Sequence, residues 1–280
     1  MSKIKAELQA ATTWPPQLII VANDKGGQGK STTALAIADH ATLHEAPLAA
    51  AQVDTQVRLA RALGRKVLTI QPVARDARRD PGAEGRAFTP LYTTLEKAAA
   101  RKASVLLDLG ANQVERTVMW IGLVDLDEDL TAWSVETTIV VPFVAEAEAI
   151  RQAGRTVSLL TERLPAAQLV LVENERDGGF ATLHAASDAA QAYRSVIVPL
   201  KARAETLRMP AIEAGSWRAF EAAGCRLIDV PQMTPEKVMA LTGLPRPEAK
   251  IARGDVAAWA GLFFAELDRI LPWAAAGGAQ

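Results

Sequence analysis

A glycine-rich run with two lysines has the residue types and spacing of a phosphate-binding loop. Residues 23–33 read NDKGGQGKSTT, follow the apolar run LIIVA and precede ALAIA, which favours a helix. Glycines let backbone N–H groups approach a polyanion, and the N-terminus of a following helix favours negative charge. A plain glycine-rich turn does not require the lysine and serine that follow Gly29. The run therefore predicts a nucleoside triphosphate site.

The polar residues of this loop have separate expected tasks. Lys30 is expected to reach the β- and γ-phosphates, and the Ser31 hydroxyl is expected to coordinate Mg²⁺. The common phosphate-loop pattern has a glycine where Asp24 stands, so this chain departs from it at the first position. The residues expected to line the phosphates are Gly26, Gly27, Gln28, Gly29, Lys30, Ser31 and Thr32.

The variant pattern KGGxGK[ST] fits residues 25–31 instead. Over residues 22–33 the sequence resembles the ParA/MinD family of deviant Walker A ATPases, and Asn23 makes it more similar to the ParA-type partition ATPases. The resemblance implies an ATP- and Mg²⁺-dependent sandwich homodimer in which Lys25 acts on the nucleotide of the partner. It also implies an α/β P-loop fold with a mainly parallel twisted sheet between two layers of helices.

A second polar run, QVDTQ at residues 52–56, follows a predicted strand. The family often has Asp-x-Asp-Pro-Gln here, so Asp54 and Gln56 match it, whereas Gln52 and Thr55 do not. The resemblance implies that Asp54 positions or activates the attacking water and completes a catalytic set with Lys25 and Lys30. An aspartate at this place is also an ordinary N-cap for the next helix.

A third run, VLLDLG, ends a predicted buried strand in Asp108. A carboxylate at this place typically holds Mg²⁺, or a water bound to it, together with the loop serine. We therefore expect Ser31 and Asp108 to form the metal site. The residues after Asp108 depart from the family's proline-rich switch, although Gly110 can still serve as a hinge.

Two later residues are candidates for contacts with the base. The resemblance implies that Asn174, after a predicted strand, hydrogen-bonds adenine and that the backbone near Pro199 flanks the base. An amide can donate and accept on one base edge. Asparagine is equally common in turns at strand ends, so both interpretations of Asn174 stay open.

Apolar runs that alternate with helical patterns indicate a parallel sheet covered on both faces. Residues 71–90 are rich in Pro, Gly and Arg and predict an exposed loop, and residues 125–129 predict an acidic turn. We expect one domain over residues 1–280, with 1–17 as a lead-in and 231–280 as a helical extension. The predicted strands cover residues 18–22, 48–53, 67–70, 104–109, 137–141, 169–172 and 196–198, and mainly helix follows the last of them.

Composition narrows the classes of protein. Among 280 residues 49% are hydrophobic and the net charge is −1, so no global charge demands nucleic acid or membrane. The single Cys225 excludes an internal disulfide and a cysteine-ligated cluster.

His40 and His44 share a helix face, and we expect a surface pair because no third metal ligand is in view. No run approaches the ~18 apolar residues of a membrane helix, and no apolar signal core is present, which predicts a cytoplasmic or nucleoid-associated protein.

Three segments bear on partners. Basic residues within 58–86, and a second group of Arg194, Lys201, Arg203 and Arg208, can bind nonspecific DNA or form a solvated surface. Residues 255–273 are amphipathic but carry acids where a membrane-binding helix carries Lys and Arg. We expect that segment to pack on the domain or on a partner, and we expect no membrane binding.

The function expected from these observations is that of a dimerising ATPase with slow hydrolysis that a partner protein stimulates. Its cargo is expected to be DNA, as in plasmid partition. One alternative is a MinD-like regulator acting at a membrane or pole. Another is a nucleotide-gated adaptor with little hydrolysis, which the altered residues at 52, 55 and 109–110 favour. A third is an ATP-dependent amide-forming synthase, which needs a pocket for a carboxylate substrate.

Overall fold

The computed structural model describes residues 14–54, 56–64, 67–71, 82–212 and 215–277. Their strands form one sheet of order β3-β2-β4-β1-β5-β6-β7, and every pairing between neighbours is parallel. The α/β fold with a parallel sheet is therefore confirmed. The strands are β1 (Gln17–Val21), β2 (Leu48–Val53), β3 (Leu68–Ile70), β4 (Ser104–Leu109), β5 (Glu136–Val144), β6 (Gln168–Asn174) and β7 (Ala204–Met209).

The central strands are apolar on both faces because helices cover both sides of the sheet. All of β1 and β4 is buried. Successive residues of β1 enter different cores: Leu18 and Ile20 join one hydrophobic cluster, and Ile19 and Val21 join the other. This alternation follows from the period of two in a strand. It creates the three layers expected from the sequence.

Thirteen helices are present among the described residues. The helical patterns at residues 92–101, 114–124 and 145–164 predict helices, and the structure has helices there with shifts of up to a few residues at their ends. They are α1 (Lys30–Leu43), α2 (Arg58–Leu63), α3 (Gly82–Ala87), α4 (Thr89–Ala100), α5 (Val114–Leu123), α6 (Leu126–Ala132), α7 (Ala147–Arg163), α8 (Asp188–Ala192), α9 (Val198–Leu200), α10 (Trp217–Ala222), α11 (Pro235–Thr242), α12 (Arg246–Leu267) and α13 (Pro272–Gly277).

The loop predicted for residues 71–90 is wrong over its second half, which contains α3 and the start of α4. Phe88 between these helices is fully buried and stacks on Trp120 with the ring centroids 4.9 Å apart. Pro90 stands in the first turn of α4, where a missing N–H leaves no helical bond unmade. Residues 72–81, with Arg75, Arg78 and Arg79 of the proposed basic group, lie outside the described residues.

The strand predicted at residues 196–198 is also wrong. These residues lie in a continuous turn of π-helix and α-helix, and the last strand is β7, further along the chain. At the end of β7, Arg208 is exposed between the buried Leu207 and Met209. Such alternation is typical of an edge strand that is covered on one face. Its charged residues hide it from a search for apolar runs.

Two smaller predictions need correction. The acidic turn at residues 125–129 is largely the first turn of α6, where acids favour the positive end of the helix dipole. Strand β5 does not end at Pro142 but continues to Val144, and the Pro142 carbonyl accepts a hydrogen bond of 2.9 Å from Asn23 Nδ2.

Helix α12 packs on α1 and β7 through its apolar face. Val256 and Phe263 on that face are fully buried, and Trp259 donates its N–H to the Pro210 carbonyl at 2.6 Å. The prediction that this amphipathic segment packs on the domain is therefore confirmed. No helix within the described ranges is long and apolar enough to cross a bilayer.

Candidate nucleotide-binding site

The loop between β1 and α1 has the backbone that its glycines predict. Gly27 and Gly29 have φ of 76° and 90°, a region that residues with side chains rarely adopt. A Cβ at Gly29 would also lie 2.6 Å from Asn174 Nδ2 and 2.8 Å from Met209 Cε. Both the conformation and the close approach therefore require glycine at position 29.

Three side chains hold the loop in place. The buried Gln28 accepts a hydrogen bond from the Val144 N–H at 3.1 Å. Asn174 Nδ2 donates to the Gln28 carbonyl at 3.1 Å, and Arg176 Nη1 donates to the Gly27 carbonyl at 2.6 Å. Because these bonds engage the Gln28 side chain and two loop carbonyls, they leave the N–H groups of the glycine segment unused. The sequence reasoning did not identify Arg176, although it follows a strand end by two residues.

The N–H groups of the loop are available to a ligand. Within the described part of the chain, the backbone N–H groups of Gly26, Gly27, Gln28 and Gly29 donate to no protein acceptor. They stand at the N-terminus of the 14-residue α1. Orphan donors and a helix N-terminus together form an anion site.

The two loop lysines differ in their surroundings. Lys30 is buried and its Nζ donates to the Lys25 carbonyl at 2.7 Å. Burial lowers the pKa of Lys30, while Asp108 and Asp24 oppose that shift. The Lys25 side chain is 28% exposed and its Nζ pairs with the exposed Glu146. One lysine therefore lies inside the cradle and the other at its outer edge.

Asp24, which replaces the usual glycine, joins the loop to α5. Its Oδ1 accepts the N–H of Val114 at 3.1 Å, and its carbonyl accepts the N–H of Asn112 at 3.1 Å. The N-cap residue Gln113 makes no capping bond of its own. A carboxylate from the loop thus caps the helix that follows Asp108, a role that only the tertiary structure reveals.

Asp108 and Ser31 lie together, as expected of a metal site. Asp108 is 1% exposed and accepts a hydrogen bond from Ser31, yet its Oδ1 has no partner among the described residues. Burial raises the pKa of Asp108 to about 6, although Ser31 and Lys30 favour the charged form. A buried carboxylate oxygen without a partner next to a hydroxyl fits a hard divalent cation such as Mg²⁺.

Asp54 faces the segment after Asp108. Its Oδ1 accepts the Gln56 N–H at 3.1 Å, and a Cβ at Gly110 would lie 2.9 Å from the same oxygen. Asp54 lines a cavity of about 320 Å³ with the loop and residues 110–112. The neighbouring Gln52 has a different task, because it bonds Thr69 Oγ1 at 2.9 Å and the Ala60 N–H at 3.2 Å, joining β2 to β3 and α2.

The side of the loop where a base would lie contains Asn174 but not Pro199. Asn174 borders a cavity of about 250 Å³ with Gly29, Met209, Pro210 and Trp217. Pro199 is in α9, before β7 begins, whereas the loop follows the carboxyl end of β1. Because the strands are parallel, Pro199 lies at their amino ends, whereas the loop lies at their carboxyl ends. Pro210, at the carboxyl end of β7, occupies the place assigned to Pro199.

The histidine prediction also needs correction, since His40 is buried and the Asp268 carboxylate lies near both histidines. The ligand atoms of the three residues lie within 4.8 Å of one another. However, the Trp273 N–H donates to His40 Nδ1 at 2.9 Å, so the ring proton is on Nε2, which is 2.9 Å from Asp268 Oδ1. A metal on Nε2 would force a proton onto Nδ1 against the Trp273 N–H, and this arrangement therefore does not fit a metal.

Comparison with known proteins gives matches at two levels. A family model described as ATPase MipZ matches residues 17–71. The search for similar curated proteins found no match.

Among solved structures, the septum site-determining protein MinD of Pyrococcus horikoshii in complex with Mg-ADP has a TM-score of 0.55 at 12% identity, covering 95% of this chain and 100% of that chain. A variant of Cyanothece McdA in complex with ATP has a TM-score of 0.45 at 15% identity, covering 88% of this chain and 97% of that chain.

The structural likeness to MinD shows the fold, and the matched family segment contains the loop that carries the lysine-glycine pattern. In this segment Lys25 precedes the glycines and Lys30 follows them. Over residues 17–71 the chain is therefore similar to the ParA/MinD family of deviant Walker A ATPases, the family that its loop sequence resembles.

Proposed function

We propose that this protein binds ATP with Mg²⁺, dimerises in that state and hydrolyses ATP slowly to position or segregate a cargo, with DNA as the proposed cargo. The observation that carries the proposal is the cradle of four unpaired loop N–H groups beside Lys30 and the unpartnered Asp108 oxygen. The structure of P. horikoshii MinD in complex with Mg-ADP supports this ligand class.

Each proposed role follows from position. The loop N–H groups and Lys30 hold the phosphates, and Asn174 and Pro210 border the base. Ser31 and Asp108 hold Mg²⁺, which when bound neutralises charge on the phosphates. Asp54, which borders the cavity shared by the loop and residues 110–112, orients the attacking water. Orienting water demands little basicity, since placement supplies much of the effect.

Lys25 supports the dimer. Its ammonium lies at the outer edge of the cradle and pairs with Glu146, whose side chain is 55% exposed. Exposed ion pairs contribute little free energy, so exchanging Glu146 for a phosphate of a partner's nucleotide is favourable.

The late basic group offers fewer free positive charges for DNA than its sequence suggests. Two members of the late basic group are already neutralised: Lys201 pairs with Glu173 at 2.7 Å, and Arg208 pairs with Glu175 at 2.7 Å. Arg203 makes no ion pair among the described residues. These pairs limit the local positive field of a monomer, and we therefore propose that DNA binding belongs to the dimer.

The nucleotide proposal is tested by calorimetry and by size exclusion with ATP, ADP or no nucleotide. Lys30→Ala is expected to lose ATP binding at least tenfold and to stay monomeric, because it removes the cation inside the cradle. The matched control is Lys102→Ala, an exposed lysine distant from the loop in sequence. ATP binding of equal strength in wild type and Lys30→Ala would contradict the proposed site.

A further inference from the structure

A third cavity, distinct from the two along the loop, lies behind the phosphate loop, between α1, α2 and α10. Its volume is about 270 Å³, and it ends near Cys225. Ser31 and Thr32 border it, but none of the loop residues 24–30 does. The cavity is therefore a neighbour of the nucleotide cradle and is not the cradle itself. Its volume is at the lower end of the range for small-molecule sites.

The polar lining of this cavity is mostly cationic. Arg58 and Arg61 come from α2, and Arg218 comes from α10. None of the three forms an ion pair with a described residue, unlike the paired cations Lys201 and Arg208. Glu221 is the single carboxylate in the lining, so three positive charges face one negative charge.

Trp217 contributes an aromatic wall to the cavity. It is 7% exposed, and its indole nitrogen has almost no accessible surface, so the contact that it offers a ligand is apolar. The three arginine side chains are exposed, and guanidinium groups donate and do not accept. Three donor groups from two helices therefore border one cavity, which suits an anion.

The remaining walls are apolar, with Leu35, Leu59 and Ala62 on α1 and α2. We propose that this cavity binds a small organic anion, whose phosphate or carboxylate is held by Arg58, Arg61 and Arg218 and whose body packs on the apolar wall and on Trp217. Planar, forked guanidinium groups suit both acids.

The site borders the nucleotide site through shared residues. Arg58, Trp217, Arg218 and Glu221 also line the cavity beside Gly29 and Asn174. Arg61 lines the cavity behind the loop but neither of the two cavities along the loop. Arg61 is therefore the residue whose replacement separates the two sites.

The test uses calorimetry with phenyl phosphate, inorganic phosphate and benzoate. The proteins are wild type, Lys30→Ala, Arg61→Gln and the control Arg101→Gln, which changes an exposed arginine outside the cavity. We expect phenyl phosphate or benzoate to bind wild type and Lys30→Ala alike. Arg61→Gln is expected to weaken this binding at least tenfold, and Arg101→Gln is expected to leave it unchanged. Tighter binding of phenyl phosphate than of benzoate identifies a phosphate ligand, and the reverse identifies a carboxylate.

ATP affinity is measured in the same variants and is expected to change less than twofold in Arg61→Gln. Three results would overturn the proposal: no binding of any of the three anions, equal anion binding by wild type and Arg61→Gln, or loss of anion binding in Lys30→Ala. A failure of wild type to bind ATP would count against the nucleotide proposal alone, because the anion titrations in Lys30→Ala do not depend on it.

Discussion

Asp108 combines burial with charge. Its carboxylate is almost fully enclosed, and burial raises its pKa to about 6, yet one oxygen lacks a partner. Such a group is poorly suited to structure alone, because an unmet buried acceptor destabilises the fold. A bound cation removes that penalty.

We therefore expect Asp108→Asn to keep the fold but to lose most of the gain in ATP affinity that Mg²⁺ provides. Loss of a partner at a metal site typically costs about 10–100-fold in affinity. Calorimetry with ATP, with and without Mg²⁺, measures this gain. An Asp108→Asn protein with the full Mg²⁺ effect would remove Asp108 from the metal site.

Asp54 is expected to matter for turnover and not for binding. It contacts the cavity in front of the loop but holds no loop atom, so Asp54→Ala is expected to bind ATP normally, to hydrolyse it about 10²-fold more slowly and to accumulate as dimer. Phosphate release and size exclusion with ATP report these effects. The control is Asp127→Ala, which changes an exposed aspartate on α6, outside the site. Normal turnover by Asp54→Ala would contradict the catalytic role.

At the scale of elements, Asp24 connects the phosphate loop to the N-terminus of α5. Asp24→Ala is expected to lower the free energy of unfolding by about 0.5–2 kcal/mol, as loss of an N-cap does. Asp24→Asn keeps an acceptor and loses only the charge at the helix dipole, about 0.3–1 kcal/mol. Denaturant unfolding of both variants measures the difference. Equal destabilisation of the two would show that the cap contributes through charge alone.

The contact of His40 on α1 with Asp268 and Trp273 predicts that the stability of the fold depends on pH. Burial lowers the pKa of His40, the bond to Asp268 opposes this shift and His44 supports it. The hydrogen bond from the Trp273 N–H to Nδ1 also leaves no room for a second ring proton. The unfolded chain takes up a proton below its ordinary pKa of about 6.5, and the folded chain resists it. Stability is therefore expected to fall as pH decreases from 7 toward 5, by at most about 1.4 kcal/mol per pH unit from this group.

Denaturant unfolding of wild type and His40→Gln at several pH values tests this dependence. His40→Gln is expected to have a shallower pH profile, and His184→Gln, which changes an exposed histidine outside this cluster, serves as the control. Identical pH profiles for wild type and His40→Gln would contradict the assignment.

The elements show which parts of the structure a sequence can reveal. The loop was predictable because its chemistry is local: glycine spacing, lysine, serine, a strand before and a helix after. Strand β7 was not, because Glu205 and Arg208 interrupt its apolar pattern and its stability comes from contacts with β6 and α12. Pro210 and Trp217 follow the end of β7. Because that strand was missed, the proposed base contact was assigned to Pro199 and not to Pro210. The cap from Asp24 to Val114 spans 90 residues and has no sequence signal.

At the scale of the molecule, the end of α12 and the residues just after it cover the free edge of β7. Glu266 accepts the Arg208 N–H at 3.2 Å, and Arg269 donates to the Thr206 carbonyl at 3.2 Å. These bonds occupy groups of β7 that would otherwise be free to pair with another strand. We therefore expect dimer contacts at the loop face and not at this edge.

The proposed DNA cargo is tested on the whole protein. With a net charge of −1, the monomer is expected to bind DNA weakly, and an ATP-bound dimer doubles the cations on one surface. A gel-shift series with ADP, ATP and no nucleotide is expected to show binding with ATP that weakens steeply with salt. Absence of binding at low salt would contradict the DNA proposal and favour an adaptor or a membrane regulator.

The place of β1 in the sheet has a consequence for how the protein is made. β1 leaves the ribosome first but pairs only with β4 and β5, whose residues extend to Leu109 and Val144. At about 5–20 residues per second, the stretch from Val21 to Leu109, the end of its first partner strand, takes roughly 4–18 s to synthesise. During that interval the apolar run at residues 18–22 has no strand to pair with, so the nascent chain presents it to chaperones before the phosphate loop beside it can take shape.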